Sequence, residues 1–331
     1  MYKRLIRCII LSAFVILCFG CRRESDRSSQ LFEGFDSENI MISDMSFNAP
    51  VSKYKGFASD LAVVYDSSDS ADSYLLNAKG GILVDVTSND VIYKKNIFGR
   101  VYPASTTKIL TSLLSIENSD IKEIRTMGDE VIINTPNASL CDFRVGDNIS
   151  FDIVLHGTLM ISGNDAAAAL ALFAADSMSE FVDMMNAKAH KLGATGSVFV
   201  NPHGLHDAGH YTTPYDMYLI FNECIKNSYF MDVVGCEKYY DTFSRTTAVK
   251  TYVIAADYKS TNPFISGSVA TPDGVTVYGG KSGTTDEAAS CYINCFEYKG
   301  HTFIEAVFGC ESKAKCNSDL VFLINKAMGS L

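Results

Sequence analysis

The stretch GGKSGTT, Gly279–Thr285, directly follows the β-type run VTVY at residues 275–278. A lysine framed by glycines and followed by hydroxyl side chains is typical of a phosphate-binding loop or of a strand edge in a serine acyltransferase site. The phosphate-binding loop requires a glycine at position 275, which is valine, and a helix that begins at the lysine. Strand and turn residues follow Lys281 instead. We therefore predict a strand edge here.

In a strand edge, four consecutive residues of this stretch predict a binding site for an anionic substrate. Lys281 presents an ammonium and Ser282 a hydroxyl to a carboxylate. Gly283 lets a substrate backbone approach closely, because glycine has no Cβ atom. The backbone N–H of Thr284 is available to a developing oxyanion. The four residues together predict substrate binding rather than phosphate binding.

Strand patterns occur near both ends of the chain. LAVVY at 61–65 predicts a strand, and GILVDV with VIYKKN predicts a hairpin over residues 81–96. A tight turn at Lys299-Gly300 joins the last two β-type runs. The C-terminal β-type runs are VTVYGGKSG, ASCYINCFEYKG and HTFIEAVFG.

Helical patterns fill the region between these strands. They cover residues 105–118, 151–160, 165–175, 180–193 and 214–225, and a last one covers 318–329. In the broad α/β class, this order indicates an α+β fold. We predict an antiparallel sheet that is built from both ends of the chain and flanked by helices, with a helical subdomain inserted at about residues 120–225.

The segment PASTTK places Ser105 and Lys108 three residues apart at the start of a predicted helix. This spacing brings both side chains to one face of the helix. A serine hydroxyl needs a nearby base to become a nucleophile, and a lysine can serve if burial or neighbouring cations lower its pKa. An ordinary helix start, with Ser105 as the N-cap and Lys108 in solvent, explains the segment equally well when it is taken alone.

The segment MISGNDAAAAL places Ser162 and Asn164 just before an Ala-rich helix. A second hydroxyl can relay a proton between a lysine and a leaving amine, and an asparagine amide can hydrogen-bond both the lysine and an acyl chain. A capping turn before the helix is the alternative interpretation. Each of these short motifs is weak alone.

Taken together in this order, the SxxK, SxN and KSG motifs resemble those of penicillin-binding proteins and class A β-lactamases. Over residues 75–331 the chain is similar to low-molecular-mass penicillin-binding D-alanyl-D-alanine carboxypeptidases of peptidase family S11. The longer stretches that carry this resemblance are YPASTTKILTSLL, ISGNDAAAALA, FVDMMNAKAHKLGA, FVNPHGLHDAGHYTTPYDM and GGKSGTT. The resemblance implies a serine β-lactamase/transpeptidase-like fold.

The resemblance also implies a role for each motif residue. Ser105 corresponds to the acyl-ester nucleophile and Lys108 to the base that activates it. Lys281 corresponds to the residue that binds the terminal carboxylate, and Ser282 stands where the family more often has threonine. The backbone N–H groups of Ser105 and Thr284 correspond to the oxyanion hole.

Ser162 and Asn164 correspond to the family's middle motif. The implied reaction removes the terminal D-alanine from peptidoglycan stem pentapeptides through an acyl-enzyme, and β-lactams acylate the same serine. No metal and no organic cofactor is implied.

Three other functions fit parts of the sequence. His203, His206, Asp207 and His210 offer zinc ligands, but they stand in a Pro/Gly loop without an HExxH helix, and the resemblance favours a structural loop near the site. A serine β-lactamase needs a further carboxylate for deacylation. Its candidates are Glu223 and Glu237. A non-catalytic sensor of β-lactams or cell wall is the third.

Residues 1–21 have the layout of an export signal. The basic stretch MYKRLIR precedes an apolar run at 8–20, which is short for a membrane-spanning helix of roughly 20 residues. Cys21 follows this run, as in a bacterial lipoprotein signal, so we predict that it is lipidated. A cleaved ordinary signal and an uncleaved anchor are the alternatives. All three place the folded part at the outer face of the cytoplasmic membrane.

The composition of the rest of the chain limits how many domains it forms and which partners it binds. Residues 22–50 are polar and acidic and predict a tether, and residues 51–331 predict one catalytic domain with no additional C-terminal domain. The formal net charge of −10 disfavours nucleic acid as a partner. Seven of the ten cysteines follow the signal and lack CxxC spacing, so no disulfide is assigned.

Overall fold

The computed structural model describes residues 61–331. The predicted signal at 1–21, the lipidation site Cys21 and the tether at 22–50 lie outside the described residues. Within the described part, no helix combines the length and the run of apolar residues needed to cross a bilayer.

A five-stranded antiparallel sheet forms the centre of the fold, with strand order β2-β1-β9-β8-β7. Its strands are β1 Gly80–Asp85, β2 Asp90–Lys95, β7 Val275–Thr285, β8 Ala289–Tyr298 and β9 His301–Cys310. The predicted sheet from both ends of the chain is therefore confirmed. At the predicted turn, Lys299 and Gly300 have φ values of +50° and +81°, which suit a two-residue hairpin loop. The strand β7 lies at one edge of the sheet.

The predicted strand at 61–65 is wrong. Here the backbone takes its hydrogen bonds from side chains rather than from a neighbouring strand. The Ala62 N–H donates to the Tyr218 hydroxyl, and the Ala62 carbonyl accepts from the Tyr215 hydroxyl, each at 2.9 Å. Because these bonds satisfy the buried backbone, an apolar run alone does not decide between strand and loop.

Helices cover both faces of the central sheet. They are α1 Lys108–Asn118, α2 Phe151–Met160, α3 Asn164–Ala174, α4 Met178–Lys191, α5 Pro214–Cys224, α6 Ser228–Val234 and α7 Lys313–Ser330. Ile82 and Val84 pack with the helices α1 to α6 in one apolar cluster, whereas Leu83 packs with α7 in another. Since successive strand residues face opposite sides, β1 is buried along its whole length.

A second antiparallel sheet was not predicted. Its strands are β3 Ile124–Thr126, β4 Asp147–Ser150, β5 Lys238–Thr246 and β6 Thr251–Lys259, in this order. Arg245 joins β5 to β4 through two bonds to the buried Asp147 carboxylate, at 2.8 and 2.7 Å. Much of β5 and β6 is exposed, so their sequences lack the apolar alternation that predicts a strand. The domain boundaries, including the helical subdomain, stay predictions.

Candidate active site

Ser105 lies in a short 3-10 turn, Ala104–Thr107, that leads into α1. Thr106 holds this turn, because its backbone N–H and its hydroxyl donate to the Pro103 carbonyl at 3.2 and 2.7 Å. Ala104 has a φ of +47°, in the left-handed region that non-glycine residues rarely adopt. The turn presents the Ser105 side chain to a cleft beside the helix N-terminus.

The Lys108 side chain is fully buried and makes three hydrogen bonds. Its Nζ lies 2.9 Å from Ser105 Oγ, 2.8 Å from Asn164 Oδ1 and 2.7 Å from the His203 carbonyl oxygen. Burial, followed by the nearby Lys281 ammonium, lowers the pKa of Lys108 well below its ordinary value. The neutral amine is thereby favoured, within proton-transfer distance of the serine hydroxyl.

Ser162 lies in the turn before α3 and Asn164 is the first residue of that helix, and both line the same cleft as Ser105. Ser162 lines the cleft with a φ of +64°. The Asn164 Nδ2 donates to the Ser139 carbonyl at 3.0 Å, and the backbone N–H of Asn164 donates to the same carbonyl at 2.8 Å. This arrangement directs Asn164 Oδ1 toward Lys108, so the asparagine fixes the lysine in place.

The loop that carries the NPHGL sequence braces the first turns of α1. Thr111 donates from its hydroxyl to the Pro202 carbonyl at 2.6 Å. The hydroxyl of Thr107 lies 2.9 Å from His210 Nε2. Together with the bond from Lys108 to the His203 carbonyl, these contacts fasten the loop to the helix on the side that carries the SxxK motif.

Gly204 makes the closest approach between this loop and the Ser105 turn. Its φ is +79°. A Cβ atom at Gly204 would lie 1.8 Å from the Ala104 carbonyl oxygen and 2.5 Å from its carbonyl carbon. The position therefore requires glycine for both backbone conformation and space.

The histidines of this loop point in separate directions. His210 uses Nε2 toward Thr107 and Nδ1 to accept a backbone N–H. His203 Nδ1 accepts another backbone N–H, and His206 Nδ1 lies 3.7 Å from Glu287 Oε2. Within residues 61–331, no group of three His, Cys, Asp or Glu side chains is arranged to hold a metal ion. The zinc alternative has no convergent ligand set in the described part of the chain.

The edge strand β7 packs directly against the Ser105 turn. A Cβ atom at Gly283 would lie 2.7 Å from the Ser105 nitrogen and 3.0 Å from the Pro103 carbonyl oxygen. Gly283 thus lets the protein's own backbone approach, a reason that sequence analysis missed. The contact brings the Ser105 N–H beside the residues that follow the KSG motif.

Lys281 is also buried, with only 1% of its surface exposed. Its Nζ donates to the Ser282 carbonyl at 2.9 Å. Burial, followed by the ammonium of Lys313, lowers the pKa of Lys281 to about 7. Lys313 thus acts on Lys281, and Lys281 in turn lowers the pKa of Lys108.

A cleft of about 770 Å³ connects the three motifs. Residues from each motif line it: Ser105, Ser162, Asn164, Ser282, Gly283 and Thr284. Lys313, the first residue of α7, lines the cleft as well. No local motif in the sequence marks Lys313, and only the packing of α7 against β9 and β8 brings it here. The cleft therefore joins residues of the SxxK, SxN and KSG motifs with the Lys313 side chain.

The sequence of this chain matches one protein-family model and is similar to several characterised proteins. The model of the D-alanyl-D-alanine carboxypeptidase family, Peptidase_S11, matches residues 67–312. The D-alanyl-D-alanine carboxypeptidase DacF of Bacillus subtilis is 32% identical over 254 residues. That match covers 76% of this chain but 62% of the Bacillus protein, so the chain spans less than two thirds of that relative's length.

A Streptomyces enzyme is similar in both sequence and structure. The D-alanyl-D-alanine carboxypeptidase of Streptomyces sp. strain K15 is 29% identical over 261 residues, covering 75% of this chain and 86% of that protein. The crystal structure of the Streptomyces K15 DD-transpeptidase matches with a TM-score of 0.69 at 27% identity, covering 77% of this chain and 98% of that one. The predicted fold class is confirmed by this likeness.

Proposed function

Because the chain belongs to the D-alanyl-D-alanine carboxypeptidase family S11, we propose that it is a serine-type carboxypeptidase. In this proposal it removes the terminal D-alanine from peptidoglycan stem pentapeptides, and β-lactams acylate its nucleophile. The observation that carries the proposal is the 2.9 Å contact between Lys108 Nζ and Ser105 Oγ inside a cleft that the other two motifs also line.

Acylation begins with proton transfer from Ser105 to the neutral Lys108 amine. The Ser105 oxygen attacks the carbonyl carbon of the penultimate D-alanine, and the carbonyl oxygen becomes an oxyanion. The N–H groups of Ser105 and Thr284 donate to it. The proton on Lys108 then passes through the Ser162 hydroxyl to the amine of the departing D-alanine, so the tetrahedral intermediate collapses to an ester.

Deacylation reverses these roles with water as the nucleophile. Lys108 takes a proton from the water, whose oxygen attacks the ester carbon, and the proton returns to Ser105 as the ester bond breaks. Asn164 keeps Lys108 in position through both steps by its 2.8 Å bond. The shortened peptide leaves with a new terminal carboxylate.

The cationic end of the cleft supports specificity for a free C-terminus. Lys281 binds the terminal carboxylate of the substrate, and Ser282 orients it through its hydroxyl. We add Lys313 to this binding group, since it lines the cleft and lies close enough to Lys281 to lower its pKa. The bound carboxylate compensates the mutual repulsion of these ammonium groups.

The alternatives draw less support from the contacts of the described residues. Glu223 pairs with Lys226 at 2.8 Å and Glu237 with Lys238 at 3.4 Å, and neither carboxylate lines the cleft. The deacylating carboxylate of a class A β-lactamase therefore lacks a counterpart at the positions that the sequence offered. A non-catalytic sensor does not require Lys108 to be buried against Ser105.

We also propose that the enzyme works at the outer face of the bacterial cytoplasmic membrane, held by a lipid on Cys21 or by an uncleaved anchor. The export-type pattern of residues 1–21 supports this location. A Cys21→Ala variant in cells should lose lipid labelling. Membrane retention of that variant after signal cleavage would exclude the lipid as the tether.

The test of the activity uses the full chain in detergent with a muramyl pentapeptide. Wild type should release D-alanine, whereas Ser105→Ala should lose several orders of magnitude in rate. Ser179→Ala, on the exposed surface of α4, is the matched control and should retain activity. Failure of labelled penicillin to acylate wild type, or labelling of Ser105→Ala, would overturn the proposal. Activity that survives a strong chelator would exclude zinc.

A further inference from the structure

Two buried cysteines meet where the last strand passes into the last helix. Cys310 is the final residue of β9, and Cys316 lies in the first turn of α7. Their side chains are in hydrogen-bond contact with each other. Both belong to the apolar cluster between α7 and the central sheet, with 0% and 2% of their surface exposed. Both are free thiols in this structure.

A further cysteine near Cys310 lies on the opposite face of the sheet. Cys291 follows Ser290, the residue that pairs with Cys310 across β8 and β9. The Cys291 side chain belongs to the cluster on the α1 side of the sheet, and its Sγ lies 3.5 Å from the Tyr102 carbonyl oxygen. The backbone of the sheet therefore separates Cys291 from the Cys310 thiol, whereas Cys316 lies on the same side as Cys310.

The surroundings of Cys310 favour uncharged sulfur. Its Sγ lies 3.7 Å from Asp319 Oδ2, and this carboxylate also accepts the backbone N–H groups of Asn77 and Ala78 at 3.0 and 2.7 Å. Contact with Cys316 and burial, followed by the Asp319 carboxylate, raise the pKa of Cys310. The thiolate is the reactive form in disulfide exchange, so an exchange that joins these thiols must precede their burial. A disulfide carries no charge and suits this apolar site.

The segment between the two cysteines carries Lys313, which lines the cleft. Residues 311–315 are exposed, and Cys316 is the first buried residue of α7. The Ser312 hydroxyl oxygen caps the helix by accepting the Lys315 N–H at 3.2 Å. The first turn of α7 thus has one buried side chain. A covalent bond from that side chain to the end of β9 would fix the place from which Lys313 reaches the cleft.

We propose that Cys310 and Cys316 form a disulfide in the exported protein, and that this bond holds Lys313 at the cleft. The bond rests on the proposed location outside the cytoplasm, where disulfides form and persist, and the role of Lys313 rests on the proposed function.

The oxidant of this reaction is the disulfide of a thiol–disulfide oxidoreductase. One cysteine thiolate attacks a sulfur of that disulfide and releases the other sulfur as a thiol. The second cysteine then attacks the mixed disulfide and releases the remaining oxidant sulfur. The two protein thiols lose two electrons and two protons, and the oxidant disulfide becomes a dithiol.

Peptide mapping of the full chain tests the bond directly. The exported protein is extracted in detergent, blocked with N-ethylmaleimide in denaturant and cut with trypsin without reductant. Trypsin cleaves after Lys313 and Lys315, so the two cysteines fall in separate peptides, 300–313 and 316–326. We expect one linked species, lighter by two hydrogen atoms than the sum of the two peptides. Protein that is reduced before blocking is the control and should give both peptides with maleimide attached.

Two results of the mapping would overturn the disulfide. One is maleimide on both Cys310 and Cys316 without prior reduction. The other is a link from Cys310 to a different cysteine of the chain.

Thermal unfolding measures what the bond does for the fold. A phosphine reductant should lower the melting temperature of wild type by about 4–8 °C, because the bond closes a short loop. The combined Cys310→Ala and Cys316→Ala variant should not respond to the reductant. Cys236→Ser, which replaces a partly exposed thiol, should keep the wild-type response. An equal fall in the double variant would show that reduction acts at another site and would overturn the assignment.

Steady-state kinetics measure the hold on Lys313. Reduction should raise KM for a peptide that ends in D-Ala-D-Ala by about twofold to fivefold, the range of an exposed ion pair, with little change in kcat. An unchanged KM in protein whose bond has been reduced would overturn the role of the bond at the cleft. A linked peptide pair from protein that releases no D-alanine would overturn the proposed function and leave the disulfide standing.

Discussion

The N-terminal end of α1 and the middle of β7 each bury a lysine, but the two environments differ. Lys108 has acceptors from three separate segments, at Ser105, Asn164 and His203. Lys281 donates only to the Ser282 carbonyl next to it. The first lysine is held by the protein in a single geometry, as a proton carrier must be. The second has no such set of acceptors among the described residues.

Replacement of Lys108 should have the largest effect on the acylation rate. Lys108→Met keeps the size of the side chain and removes the base, so acylation by labelled penicillin should slow by at least about 10³-fold. The rate of covalent labelling measures this directly, and circular dichroism checks the fold. Lys188→Met, on α4, is the control. Acylation of the Lys108 variant within tenfold of wild type would show that another group acts as the base.

A change in the loop that holds Lys108 should have the next largest effect. Gly204→Ala places a methyl group against the Ala104 carbonyl, so the loop must shift and move the His203 acceptor. A displacement of about 1 Å near reacting groups can cost about 100-fold in rate. Steady-state release of D-alanine measures this loss.

Gly267→Ala provides the matched control for backbone strain. Gly267 has a similar φ of +71°, but nothing lies within 4 Å of an added Cβ. It should lower the unfolding free energy by about 1–2 kcal/mol through the left-handed backbone alone, with activity retained. Equal losses of activity in both variants would mean that the loop contact does not position the catalytic turn.

Replacement of Lys281 should weaken recognition of the substrate's terminal carboxylate. Lys281→Met removes a charged hydrogen-bond donor worth about 1.5–3 kcal/mol, so kcat/KM for a peptide acid should fall by about tenfold to a hundredfold. The corresponding peptide amide should change less, because it lacks the carboxylate. The ratio of the two substrates is the measurement, with Lys315→Met as the control on α7. An unchanged ratio would show that the carboxylate binds elsewhere.

Local sequence was sufficient for the central sheet and most helices. The alternation in VTVY and HTFIEAVFG, the Lys299-Gly300 turn and the apolar spacing in α1 are short-range signals that survive in the fold. It failed at 61–65, where tyrosine hydroxyls from α5 replace strand partners. It also missed the second sheet, whose exposed strands depend on Asp147 and Arg245, which are distant in sequence.

The sequence by itself determined which chemical groups this protein carries: a serine with a lysine three residues on, an SxN turn and a KSG strand. Only the tertiary structure decided how they work together. It buried Lys108 beside Lys281 and Lys281 beside Lys313, which lowers the pKa of Lys108 and of Lys281, and it set Gly283 against the Ser105 backbone and brought Lys313 into the cleft. Burial and charge proximity depend on contacts between distant segments, and such contacts are not encoded in any one stretch of the chain.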